Sequence, residues 1–228
     1  MKTYIQQRQQ KLRESQTNFY TPSGIHIYIK EPVNQTVVSR ALNMLEQRVP
    51  IHILSEVEMI MFGWFAEFDE RGLQAYFDGG TIFVSNLFDD EIELFETLIH
   101  ETAHAVEKTY GYEIYGDDKI KQEFIRKRQY LHDILWKEGY KMPISVFLDT
   151  EYDQEFDEML YQKIGYGKLD GYAAGIFITS YGATSLREYF ATAFDDYFIN
   201  PNHSFLKKIS PAVYEKINLV LSEEELDI

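Results

Sequence analysis

The pattern of apolar and polar positions changes period along the chain. GIHIYIK (24–30) alternates β-branched and aromatic residues with others, the period of a half-buried strand. From Asn34 the spacing lengthens, and Val38, Leu42 and Leu45 fall on one helical stripe. IHIL (51–54) is a second strand candidate. LQAYF (73–77) and TIFVS (81–85) flank Asp-Gly-Gly, where glycines supply the positive φ of a tight hairpin turn.

Helical spacing dominates after Asn86. Asp89, Asp90 and Glu91 stand where a helix N-terminus favours negative charge. Ile92, Phe95, Ile99, Thr102, Ala103 and Val106 form the expected buried stripe, and Gly111 is expected to end the helix. Residues 117–138 read as a long charged helix with Ile120, Phe124, Leu131 and Leu135 inward; MPISVF then breaks it, and 149–160 is very acidic. A last strong helix starts near Ser185, with Leu186, Tyr189, Phe190, Ala193, Phe194 and Tyr197 at helical spacing. A short helix over 212–221 precedes an acidic tail, and residues 1–20 read as a polar arm or surface helix. The pattern predicts an α+β fold: a small twisted N-terminal sheet, then a mainly helical half, with 21–228 as one domain.

Composition narrows the chemistry. The 228 residues suffice for one domain with a sizeable core. There are no cysteines, so thiolate metal sites and disulfides are excluded, and any metal must be held by His, Asp or Glu. A net charge of −15 disfavours nucleic acid, whose non-specific recognition rests on Lys and Arg. The N-terminus shows no apolar signal core, and no apolar run reaches membrane-spanning length. The expectation is a soluble chain, cytoplasmic or virion-associated, with export by another route left open.

The chemistry concentrates in HETAH, His100 to His104. Residues i and i+4 share a helix face, so both imidazoles can reach one metal ion. Glu101, one step round, reaches a water on that ion rather than the ion itself. Zinc in such a site acidifies the water, and the glutamate takes its proton. The pattern arises by chance in roughly 1% of chains of this length. Here it falls on the most amphipathic helix, after a hairpin, which favours the metal site over a helix that happens to carry two histidines.

Catalytic zinc takes three protein ligands and a water. The H-x-x-G-x-x-H continuation fails, because Glu107 and Tyr110 occupy its glycine and histidine positions. His26, His52, His132 and His203 have no informative spacing and read as ordinary surface or core histidines. Asp170 in GKLDGY is a possible ligand, although its glycines suggest a turn. Glu188, on the last strong helix, is the better choice. Its competing role is in a Ser185-x-x-Glu188 capping box, bonding back to the backbone.

These residues carry a resemblance. A helix-borne HExxH followed by a glutamate on a later helix resembles the gluzincin metallopeptidases. YGATSLREYFATAF, Tyr181 to Phe194, resembles the glutamate-ligand segment of anthrax lethal factor and the bacterial Pro-Pro endopeptidases. The likeness covers 81–110 and 176–198. It implies a zincin-like fold, Zn²⁺ on His100, His104 and Glu188, Glu101 as general base, and Tyr181 as stabiliser of the oxyanion. It also implies that GTIFVS is an edge strand, with a peptide or protein substrate extended along Thr81–Ser85. Two departures stand out. The interval from His104 to Glu188 is much longer than in the group, so 111–175 is read as a helical insertion. Thr192 replaces a second glutamate, leaving Asp195 or Asp196 to support the histidines. The alternative from another class is a non-catalytic structural or binding module with a peptidase-like fold, such as a phage-particle or toxin component; the intact Glu101 counts against it.

Overall fold

The computed structural model describes residues 17–222, and the side chains of all of these except Glu70 and Arg71. The fold is α+β, and the chain divides into two compact units between Thr109 and Tyr110. The arm expected at the N-terminus lies, as far as residue 16, outside the described residues, as does the acidic tail from residue 223.

The first unit is built on a five-stranded mixed sheet in the order β1-β2-β3-β5-β4. The strands are β1 (Asn18–Tyr20), β2 (His26–Ile29), β3 (Met59–Phe62), β4 (Ala75–Asp78) and β5 (Thr81–Val84). β2, β3 and β5 run parallel, and β1 and β4 close the two edges antiparallel. The register aligns Ile27, Ile60 and Ile82, and beside them Ile29, Phe62 and Val84; all six are buried on one face. This is the period-2 logic of a sheet with one face in a core. On the other face Tyr76 stacks on Phe83 with ring centroids 4.7 Å apart, and Phe65 meets Phe83 edge-on at 5.0 Å. The Asp-Gly-Gly hairpin forms as expected, with Gly79 and Gly80 at φ 56° and 87°.

Two expectations fail here. IHIL is not a strand but a single helical turn, α2 (Ile51–Leu54), following α1 (Gln35–Arg48). Pro50 starts it, its carbonyl accepting from Ile53 and Leu54. The adjacent Ile53 and Leu54 are buried while Ile51 is exposed, a pattern that no strand alternation produces. The second failure concerns β5. It is hydrogen-bonded to β3 on one side and β4 on the other, so Thr81–Ser85 is interior and cannot receive a substrate strand. The hairpin partner β4 holds the edge.

After a short α3 (Ala66–Arg71) comes α4, the HETAH helix, Glu91–Tyr115. Asp90 caps it, its Oδ1 accepting from the N–H groups of Ile92 at 2.8 Å and Glu93 at 3.0 Å. Phe95, Ile99, Thr102, Ala103 and Val106 are buried as expected, but Ile92 in the first turn is exposed. The helix does not stop at Gly111. It kinks at Tyr110 (φ −100°, ψ 20°) and runs on to Tyr115, beyond which Gly116 donates to the Tyr112 carbonyl. A Cβ on Gly116 would sit 2.5 Å from that carbonyl oxygen, so the glycine that ends the helix is Gly116.

The second unit is helical. The segment expected as an insertion, 111–175, contains α5 (Lys119–Lys137), α6 (Ile144–Leu148), α7 (Gln154–Glu158), a π-helical turn (Met159–Ile164) and α8 (Tyr166–Ala173). A 3₁₀ turn (Tyr181–Ala183) leads into α9 (Leu186–Ile199), and α10 (Ser204–Ile209) and α11 (Pro211–Ser222) follow. Ile120, Phe124, Leu131 and Leu135 are buried, as the spacing predicts. Two polar anchors hold this unit. Tyr189 donates to Glu123 at 2.7 Å and lies 3.0 Å from the Ser210 hydroxyl. The fully buried Arg128 donates to the carbonyls of Asp149 (2.8 Å), Val146 (2.7 Å) and Thr184 (3.4 Å), with its guanidinium over the Phe156 ring. These bonds tie the acidic segment before α7 to the start of α9. No helix among the described residues is long and apolar enough to cross a membrane.

Candidate metal centre

His100 and His104 project from the same face of α4, as the i, i+4 spacing requires, with ring centroids 5.1 Å apart and ring planes nearly perpendicular. Around them the helix is buried on almost every side: Ile99, Glu101, Thr102, Ala103, Ala105, Val106 and Glu107 are all inaccessible to solvent or nearly so. Buried surroundings hold an imidazole in one rotamer, a precondition for a metal ligand.

A carboxylate fixes His104 further. Its Nδ1 lies 2.7 Å from Oε2 of Glu107, which is itself buried. With Nδ1–H donated to a carboxylate, Nε2 is the nitrogen left with a lone pair for a metal. Glu107 is the residue that sequence reasoning missed. It stood out there only as a departure from a histidine-containing continuation, although the His-x-x-Glu spacing on a helix was a readable signal. Of the two residues expected in this supporting role, Asp196 accepts instead from Asn200 at 2.6 Å.

Glu188 sits in the first turn of α9. Ser185 caps that helix, its hydroxyl accepting from the Glu188 N–H at 3.1 Å. The backbone of Glu188 is thus committed to the cap. Its carboxylate belongs to another group: one imidazole nitrogen each from His100 and His104 and one carboxylate oxygen of Glu188 lie within 4.8 Å of one another. Two neutral nitrogens and one carboxylate, with no thiolate, is a donor set suited to Zn²⁺ with one open position. Asp170, the alternative ligand, lies on α8 rather than in a turn, and the Ser180 hydroxyl donates to its Oδ1.

Tyr181 opens the 3₁₀ turn before α9. Burial, then the charges of Glu188 and Asp157, hold its phenol well above the usual tyrosine range, so it keeps its proton. The turn approaches α9 closely. A Cβ on Gly182 would lie 2.5 Å from Oγ1 of Thr192, and that hydroxyl donates to the Glu188 carbonyl at 2.8 Å. Thr192, which stands in the place of a second glutamate, therefore joins the turn carrying Tyr181 to the helix carrying Glu188.

A cavity of about 550 Å³ lies in the second unit between residues 140 and 163, with Tyr140, Met142, Phe156 and Met159 on its walls. None of the predicted site residues lines it. No family model, no curated protein and no solved structure matches this chain.

Proposed function

We propose that this chain is a zinc-dependent endopeptidase of gluzincin type, with a zincin-like fold, that hydrolyses peptide bonds of a peptide or protein substrate. The observation that carries the reading is the convergence of His100, His104 and Glu188 donor atoms within 4.8 Å, beside a buried Glu101 on the same helix turn. The HExxH spacing gives that convergence its chemistry.

In this reading His100, His104 and Glu188 hold the ion. Zinc, when bound, supplies a Lewis acid that brings the ionisation of a water towards neutral pH. Glu101 takes the proton of the attacking water and returns it to the leaving amine. Glu107 keeps His104 in the tautomer that offers Nε2. The Tyr181 phenol donates to the oxygen of the scissile carbonyl as negative charge develops there. The substrate lies extended against β4, the antiparallel edge strand, by main-chain pairing.

The test is turnover of an internally quenched peptide library by the zinc-loaded protein and by Glu101→Ala. Cleavage by the wild type, lost in a variant that keeps its zinc, is the expected result. Equal cleavage by both removes Glu101 as the base. A zinc-loaded wild type that cleaves nothing, including denatured protein substrates, contradicts the peptidase reading in favour of a binding module.

A further inference from the structure

The register of the edge strand β4 fixes which of its backbone groups are open. The Ser85 N–H donates to the Gln74 carbonyl at 2.8 Å, next to the ladder that aligns Ala75 with Val84 and Phe77 with Ile82. Hydrogen-bonded and non-bonded pairs alternate along an antiparallel ladder, so Gln74, Tyr76 and Asp78 direct their backbone groups to β5. The N–H and C=O groups of Ala75 and Phe77 point the other way, off the sheet. No other backbone bond among the described residues uses them. An extended peptide in antiparallel register exchanges two hydrogen bonds with each of these two residues.

A cation stands beside the second of them. The Lys108 ammonium lies 5.8 Å from the centroid of the half-buried Phe77 ring. Lys108 is exposed and follows His104 by four residues on α4, so it lies one turn along the face that carries both histidines. No carboxylate among the described residues is paired with it: Glu107 is bonded to His104, and Glu56 accepts from the Thr109 hydroxyl. Asp78, next to Phe77 on β4, projects from the opposite face of the strand. A peptide residue directly opposite Phe77 shares its face, with the two Cβ atoms about 5.5 Å apart. A glutamate there brings its carboxylate to Lys108, whereas a lysine there meets a like charge.

We propose that β4 receives its peptide through Ala75 and Phe77, and that Lys108 selects an acidic residue at the position opposite Phe77. This rests on the peptidase reading for the role of that peptide as substrate, but not for its measurement. The net charge of −15 gives the selection a signature. The field of the whole chain favours a lysine in the peptide over a glutamate, and Lys108 reverses that order locally. The probes are short, acetylated and amidated peptides of alternating threonine and alanine, with glutamate, glutamine or lysine at the centre. Their binding to the Glu101→Ala protein, with zinc added, is followed by NMR titration through the amides of Ala75 and Phe77.

The expected affinities fall in the order glutamate, glutamine, lysine, with about a threefold step from glutamate to glutamine, the size of one exposed ion pair. The Ala75 and Phe77 amides shift on binding. Lys108→Met removes the glutamate preference and Lys108→Glu turns it towards lysine; both replace an exposed side chain. The reverse order in the parent protein, equal binding of the three peptides, or no binding of any overturns the proposal. So does a preference that survives Lys108→Met, or a set of shifts that spares Ala75 and Phe77. Because turnover is never read, a failed peptidase reading appears separately, as glutamate-selective binding without cleavage by the wild type.

Discussion

Glu107 accepts from Nδ1 of His104 at 2.7 Å, three residues along the same buried helix face. The pair is made within one element and persists wherever α4 is folded. It fixes the tautomer of one proposed ligand before any metal arrives, which lowers the ordering needed on binding. Glu107→Ala is expected to weaken zinc affinity about 10- to 100-fold, the usual cost of losing a carboxylate behind a metal-bound histidine. Competition with a chelator of known affinity measures it. Glu107→Gln should lose less, since its amide oxygen still accepts the N–H. Unchanged affinity in both variants would make the contact an ordinary buried ion pair.

Tyr181→Phe removes one hydroxyl and leaves the ring. For a donor that acts on the developing oxyanion, kcat is expected to fall on the order of 100-fold with KM little changed. Steady-state kinetics on a cleaved peptide separates the two parameters. A loss carried by KM alone would make Tyr181 a ground-state substrate contact.

The Gly182 position predicts a structural dependence of the same step. A methyl there would lie 2.5 Å from Thr192 Oγ1, so the turn or the α9 helix must shift. Gly182→Ala is expected to lower kcat while leaving zinc content intact, and Gly182→Ala with Thr192→Ala should recover part of it. Absence of any recovery in the double variant would show that the contact does not set the position of Tyr181.

Lys127 gives a pH dependence of stability. Burial lowers its ammonium to about 8, with the Glu123 charge opposing the shift. An unfolded lysine titrates near 10.4. Below about pH 8 both states are protonated and the cost of burying the charge is fully present. Between about 8 and 10 the unfolded chain binds more protons, so stability rises with pH, by at most about 1.4 kcal/mol per pH unit. Urea midpoints at pH 8 and 10, for wild type and Lys127→Met, isolate this contribution because other groups are common to both. The difference should move in favour of the wild type at the higher pH; no movement would place the Lys127 amine in a better solvated setting.

What could be read from the sequence follows the range of the interactions concerned. His100, Glu101 and His104 were legible because helical spacing alone sets their mutual geometry. The Ser185 cap was legible for the same reason, whereas Asp90 was legible only as one of three acids favoured at a helix N-terminus. The strand Met59–Phe62 was not, since an interior strand of parallel pairs reads as a continuous apolar run without polar alternation. The exchange of β4 and β5 at the sheet edge was not legible either. A hairpin signal fixes which two strands pair, but says nothing of which one a distant third strand will join. Glu188 could be singled out only by asking what a two-histidine site lacks, because its partners lie over eighty residues earlier in the chain. Asp157, which accepts from Tyr152 and Tyr166, offered no local signal at all, being one acid among many in 149–160, and Tyr166 lies across the π-helical turn from it.

The central claim is that three side chains hold one zinc. It is tested most directly by elemental mass spectrometry of metal content in the wild type and Glu188→Ala, purified side by side and again after reconstitution with zinc. One zinc per chain in the wild type, lost or greatly reduced in the variant, is the predicted result. Zinc retained equally by both would remove Glu188 from the ligand set, and no zinc in either after reconstitution would contradict the metal centre itself.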